Sequence, residues 1–150
     1  MQPLSPDAAS MLRAALALTL LALIMLLAMY ATRLPAMAAA KIAPAAARHP
    51  RTALDKLPSA VRQVADNYNH LHEAPTTFYA AVFAIVLLGG ADALHARCAW
   101  AYVALRAAHS AVQATVNHVP LRFALFAGSW AALGLMIGRA ALQQAPLLLL

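Results

Sequence analysis

Four stretches of the chain lose nearly all polar character, and the breaks between them set its plan. Ala14 to Thr32 is a run of 19 residues without a charge. At about 1.5 Å per residue such a run covers ~28 Å, close to a hydrocarbon core of about 30 Å. Further apolar runs are Ala74 to Ala91, Cys98 to Val116 and Phe123 to Leu142. The pattern predicts four helices over roughly 10–32, 66–91, 97–117 and 122–143. The fold class it points to is all-α, a membrane-embedded four-helix bundle in one domain spanning residues 1–150.

Composition agrees with this pattern. Hydrophobic residues make up 63% of the chain and charged residues only 11%. A soluble domain carries about 25% charged residues. Arg13 before the first run and the small residues after it also fit a secretory signal. The h-region of a signal is only about 7–15 residues, so a retained transmembrane helix is the better reading.

Arg33 to Arg62 differs in character. It holds Pro35, Pro44, Pro50 and Pro58, and six of the eleven Lys and Arg residues. Proline breaks helix interiors, so a connection with short helical pieces is expected. The charge excess predicts a cytoplasmic first loop, with both termini outside. A basic loop of this kind faces anionic lipid, and no groove or stacking platform points to nucleic acid. The single cysteine, Cys98, excludes an internal disulfide.

Polar residues at membrane depth are costly and so mark candidate sites. One set is the block Asp66-Asn67-Tyr68-Asn69-His70-Leu71-His72-Glu73-Ala74-Pro75. Pro75 either opens a helix or kinks a longer one; the kinked helix is preferred, because Asn69, Glu73 and Thr76 then share a face. The other set is Tyr102, Arg106, His109, Gln113 and Asn117, at spacings of four, three, four and four. That is one helical face. An arginine there needs compensation, and Glu73 is the nearest acid in kind. Arg106 and Glu73 pair as structural glue, or with their neighbours they line a polar cavity open to the cytoplasm; the two readings are compatible, since one ion pair cannot use all five donors of Arg106. His70 and His72 point to different helix faces and no H-E-x-x-H pattern occurs, so no metal site is expected.

These features together resemble the MAPEG family, the membrane-associated proteins of eicosanoid and glutathione metabolism. The resemblance covers most of the chain, and the Asn67-to-Thr76 block is similar to a bacterial branch. It rests on the four-helix plan, the basic first loop, the Asn/Glu/Pro cluster, Arg106-Ala107-Ala108-His109, and Arg122 just before the fourth helix. The resemblance implies a homotrimer in a bacterial inner membrane, with glutathione bound as co-substrate between subunits near the cytoplasmic face. It implies transfer of glutathione to lipophilic small molecules, or reduction of lipid hydroperoxides. Arg122 matches the position that stabilises the thiolate, while Asn69, His70, Glu73, Arg106 and His109 match glutathione-binding positions. Enzymatic members read Arg, Asn and Glu along the second helix, whereas Asp66 and His70 precede Glu73 here. A non-catalytic, lipid-binding or regulatory member is the alternative. A small transporter is a third, although paired broken helices and repeats are not evident.

Overall fold

The computed structural model describes residues 3–43, 45, 54–73 and 75–148. The described residues are helical and contain no strand: α1 (Pro6–Ala39), α2 (Ser59–Glu73), α3 (Pro75–Leu87), α4 (Ala93–Ala114) and α5 (Val119–Leu148), with a short 3-10 turn at Leu54–Lys56. Pro44, Arg48, Pro50 and Arg51 of the expected basic loop, and Ala74 of the polar block, lie outside the described residues.

Local chemistry starts α1. The Ser5 hydroxyl accepts from the Ala8 N–H at 3.1 Å, and Pro6 and Asp7 occupy the first turn. There a missing N–H costs nothing and a carboxylate complements the helix dipole. The far end corrects the sequence expectation. α1 does not stop at Arg33 but continues through Pro35 to Ala39. The continuation buries Met37 against Leu57, and Ala36, Ile42 and Val61 pack on the same cluster. That contact offsets part of the roughly 3 kcal/mol a proline costs inside a helix.

The described residues of α2 run to Glu73 and those of α3 begin at Pro75; Ala74, on which the expected kinked helix turns, lies outside the described residues. The Thr76 hydroxyl donates to the Glu73 carbonyl at 3.0 Å, tying α3 to α2. At 13 residues, α3 reaches only about 20 Å. Gly89 follows its end, with a φ of +69° that favours glycine.

Asp92 then starts α4. Its Oδ1 accepts from the Leu94 and His95 N–H groups, both at 3.0 Å. Its Oδ2 accepts from Arg139 Nε at 2.6 Å and Gln143 Nε2 at 3.1 Å, fastening α4 to the far part of α5. Desolvation pushes this carboxyl up, but the His95 N–H, Arg139 and the neighbouring positive charge outweigh it and hold Asp92 at about 2.

The main core joins α1, α3, α4 and α5 through Met11, Leu18, Phe78, Val82, Tyr102 and Met136. A second cluster packs Met25 and Met29 of α1 on Val64, Ala65 and Leu71 of α2. Outside these clusters the helices are apolar: Leu16 is 68% exposed and Phe123 70%. Inside, Asn67, Arg106, His109 and Gln113 are buried. Apolar outside and polar inside is the reverse of a soluble protein. Two helices, Pro6–Ala39 and residues 119–145 of α5, are long and apolar enough to cross a membrane.

Candidate functional site

The site forms where α2, α4 and the start of α5 converge. α4 presents its polar stripe inward because Tyr102, Arg106, His109 and Gln113 share its buried face with Ala99 and Val103. α2 splits into two faces. Val64, Asn67 and Leu71 are buried, while Arg62, Asp66, Asn69 and Glu73 are exposed at helical spacing. His70 lies half-buried between them.

His70 is the hinge of the cluster. Its ring stacks on His109, with centroids 5.0 Å apart and planes 20° from parallel. Phe126 of α5 closes on the same ring at 5.2 Å. Behind His70, Arg106 is fully buried. Its Nη2 donates to the His70 carbonyl oxygen at 3.0 Å, and its Cζ lies 5.7 Å from the Phe126 ring centroid. Among the described residues, Arg106 Nε and Nη1 have no hydrogen-bond partner, nor do His109 Nδ1 and both amide atoms of Asn67.

In front of His70 opens a cleft of about 220 Å³, lined by His70, His109, Val119, Arg122, Phe123 and Phe126. Arg122 is aimed by the α4–α5 turn. Asn117 adopts a φ of +50°, a conformation that asparagine tolerates better than most residues, and its Oδ1 accepts from Arg122 Nη1. The Arg122 Nε remains buried without a partner.

Among the described residues, no acid pairs directly with these charges. A direct pairing of Arg106 with Glu73, one of the two readings of the sequence, is absent: Glu73 faces outward, and the ion pairs among the described residues are those of Asp92 with Arg139 and His95. The reason is register. Glu73 falls on the exposed face of α2, and a backbone carbonyl one turn earlier takes the guanidinium instead. Two guanidinium groups therefore flank the cleft within an apolar surround. That arrangement attracts an anion, and its electrostatic pull is stronger than it would be in water. The phenyl rings of Phe123 and Phe126 give the cleft an apolar wall.

Of the residues singled out from sequence, His70, His109 and Arg122 line the cleft and Arg106 backs it. Asn69 and Glu73 stand on the exposed face of α2 and do not line it. Tyr102 stacks on Phe78 at 4.4 Å, deeper in the core. Asn67, named from sequence within the polar block, is fully buried on the face of Val64 and Leu71 and does not line the cleft. One participant escaped the sequence reading: Phe126 lies one turn after Arg122, so it shares the face that carries that arginine. Among the described residues, no group of three or more His, Cys, Asp or Glu could hold a metal.

Compared with known proteins, the chain matches the MAPEG family over residues 11–142. Neither the curated proteins nor the solved structures contain a match.

Proposed function

The chain belongs to the MAPEG family, and from that premise we propose that it is a glutathione-dependent transferase or peroxidase acting on lipophilic electrophiles or lipid hydroperoxides. The observation that carries this reading is the cleft of His70, His109, Arg122 and Phe126 with the unpaired Arg106 behind it. Glutathione brings two carboxylates and a thiol. The Arg122 guanidinium on the cleft wall suits its acidic ends, Arg106 adds positive charge from behind, and the residues fit an anionic thiol ligand.

In this reading Arg122 carries the chemistry. A free thiol has a pKa of about 8.5, and the thiolate is the nucleophile. A guanidinium beside the sulfur favours the thiolate, each unit of depression being worth about 1.4 kcal/mol. Asn117 holds Arg122 in place, while His70 and His109 face the ligand and Arg106 supplies charge from behind. Asn69 and Glu73 join the site in a homotrimer, where the exposed stripe Arg62, Asp66, Asn69 and Glu73 meets a neighbouring protomer and binds the tripeptide's amino and amide groups. The lipophilic partner enters from the bilayer past Phe123. The membrane is crossed four times, with the first loop and the α4–α5 turn on the cytoplasmic side.

Proteoliposomes containing the purified protein test the reading directly. Glutathione with an apolar electrophile or a lipid hydroperoxide gives conjugate or lipid alcohol, and Arg122→Ala abolishes it. Absence of both products at millimolar glutathione overturns the proposal. A non-catalytic, lipid-binding role is favoured by one observation: Asp66 and His70 stand where enzymatic members carry Arg and Asn. That role predicts lipid binding unchanged in Arg122→Ala.

A further inference from the structure

Arg106 meets His70 twice. Besides its bond to the carbonyl, Nη2 stands 3.4 Å from His70 Nδ1. A guanidinium offers five N–H donors, accepts nothing and keeps its proton. A proton on Nδ1 would point donor at donor, so Nδ1 presents its lone pair and the ring proton sits on Nε2. Nε2 lies on the opposite edge of the ring from Arg106, and His70 lines the cleft. The ring has little freedom to turn, because His109 stacks on one side at 5.0 Å and Phe126 closes at 5.2 Å.

We propose that His70, fixed by Arg106 as the neutral Nε2–H imidazole, is a hydrogen-bond donor to the thiolate sulfur of the cleft's ligand. This rests on the glutathione reading above. It assigns two different jobs to residues that resemblance alone would place together. Arg106 is a positioning residue that acts through His70, since it has no surface of its own in the cleft. His70 is the group that touches the sulfur.

The assignment also excludes a role. His70 is not the base. The thiol S–H bond breaks, its proton leaves to solvent, and the electron pair stays on sulfur. The sulfur then accepts from His70 Nε2–H and faces the Arg122 guanidinium. His70 keeps its own proton throughout. The charged and titratable groups around it are Arg106 and His109 from α4, Arg122 from α5, and Glu73 on its own helix.

NMR of isotope-labelled histidine in the full-length protein in nanodiscs, with His70→Gln identifying the signal, reads the tautomer at neutral pH. The expected result is the Nε2–H form with and without glutathione, its proton moving downfield when glutathione is added. An Nδ1–H form or an imidazolium overturns the proposal. Thiolate absorbance gives the second readout. His70→Gln retains an N–H donor near the Nε2 position and holds most of the thiolate yield. His70→Leu removes the donor and lowers the thiolate equilibrium about tenfold, the equivalent of one pKa unit. Equal loss in both variants, with unfolding midpoints preserved, points to a base and refutes the donor role. If the wild-type protein forms no thiolate at all, the glutathione reading and the donor role fail together. The NMR arm still decides the tautomer separately.

Discussion

Arg106→Met separates a structural arginine from a functional one. Arg106 is fully buried and lacks a carboxylate partner. The substitution forfeits a hydrogen bond from a charged donor to the His70 carbonyl, worth about 1.5–3 kcal/mol. It also loses the contact over Phe126, worth about 0.5–2 kcal/mol. Against this, Nε and Nη1 are buried without partners, and each such group costs on the order of 1–3 kcal/mol. A methionine of similar length fills the space without a charge to desolvate. The terms cancel to within about 1 kcal/mol, as replacements of buried charge by apolar side chains often do. At roughly 2–4 °C per kcal/mol for a chain of this size, the unfolding midpoint in detergent moves by no more than a few degrees. Thiolate formation on glutathione falls about tenfold in the same sample, as it does when His70 loses its donor. The reasoning is refuted if the midpoint falls by about 10 °C, the scale of the roughly 3–5 kcal/mol released on breaking a buried pair, while thiolate yield persists. Arg106 would then be glue between helices.

Other consequences are as direct. Asp92→Ala removes the cap of α4 and the tie to Arg139 and Gln143, costing about 1–2 kcal/mol in thermal unfolding. The same carboxyl gives a pH signature: its folded value is about 2 against 3.8 for the free group. Its contribution is therefore complete above the ordinary carboxylate range and is lost as pH falls through about 2. An acid-unfolding series shows that loss in the wild type, and Asp92→Asn removes it; identical acid profiles would contradict the assignment. Asn117→Ala gives up both the tolerated positive φ and the acceptor that aims Arg122. It should cost about 1 kcal/mol of stability and weaken thiolate formation, whereas a variant indistinguishable from wild type in thiolate yield would show that Arg122 needs no anchor.

Much of the site is legible in the sequence because α4 is regular. Tyr102, Arg106, His109 and Gln113 recur at the helical period, so one face is implied before any coordinates exist, and all four are buried. The partner of Arg106 is not legible. A search for acids finds Glu73, but the acceptor is the His70 carbonyl, a backbone group that every residue carries and no pattern reveals. The Asp92–Arg139 pair is hidden for a different reason: its members lie 47 positions apart and only the packing of α4 on α5 joins them. At Pro35 local propensity predicts a stop, and the tertiary contact of Met37 with Leu57 overrides it. In the polar block, Asn67 and Asn69 look interchangeable by composition. The apolar neighbours Val64 and Leu71 decide which of them is buried.

The central claim is that this cleft binds glutathione and ionises its thiol. Titrating glutathione into the purified protein while following thiolate absorbance at neutral pH tests it most directly. The account predicts a saturable thiolate signal in the millimolar range or below, abolished in Arg122→Ala and lowered about tenfold in Arg106→Met with folding intact. No thiolate signal at saturating glutathione, or an undiminished one in both variants, would contradict it.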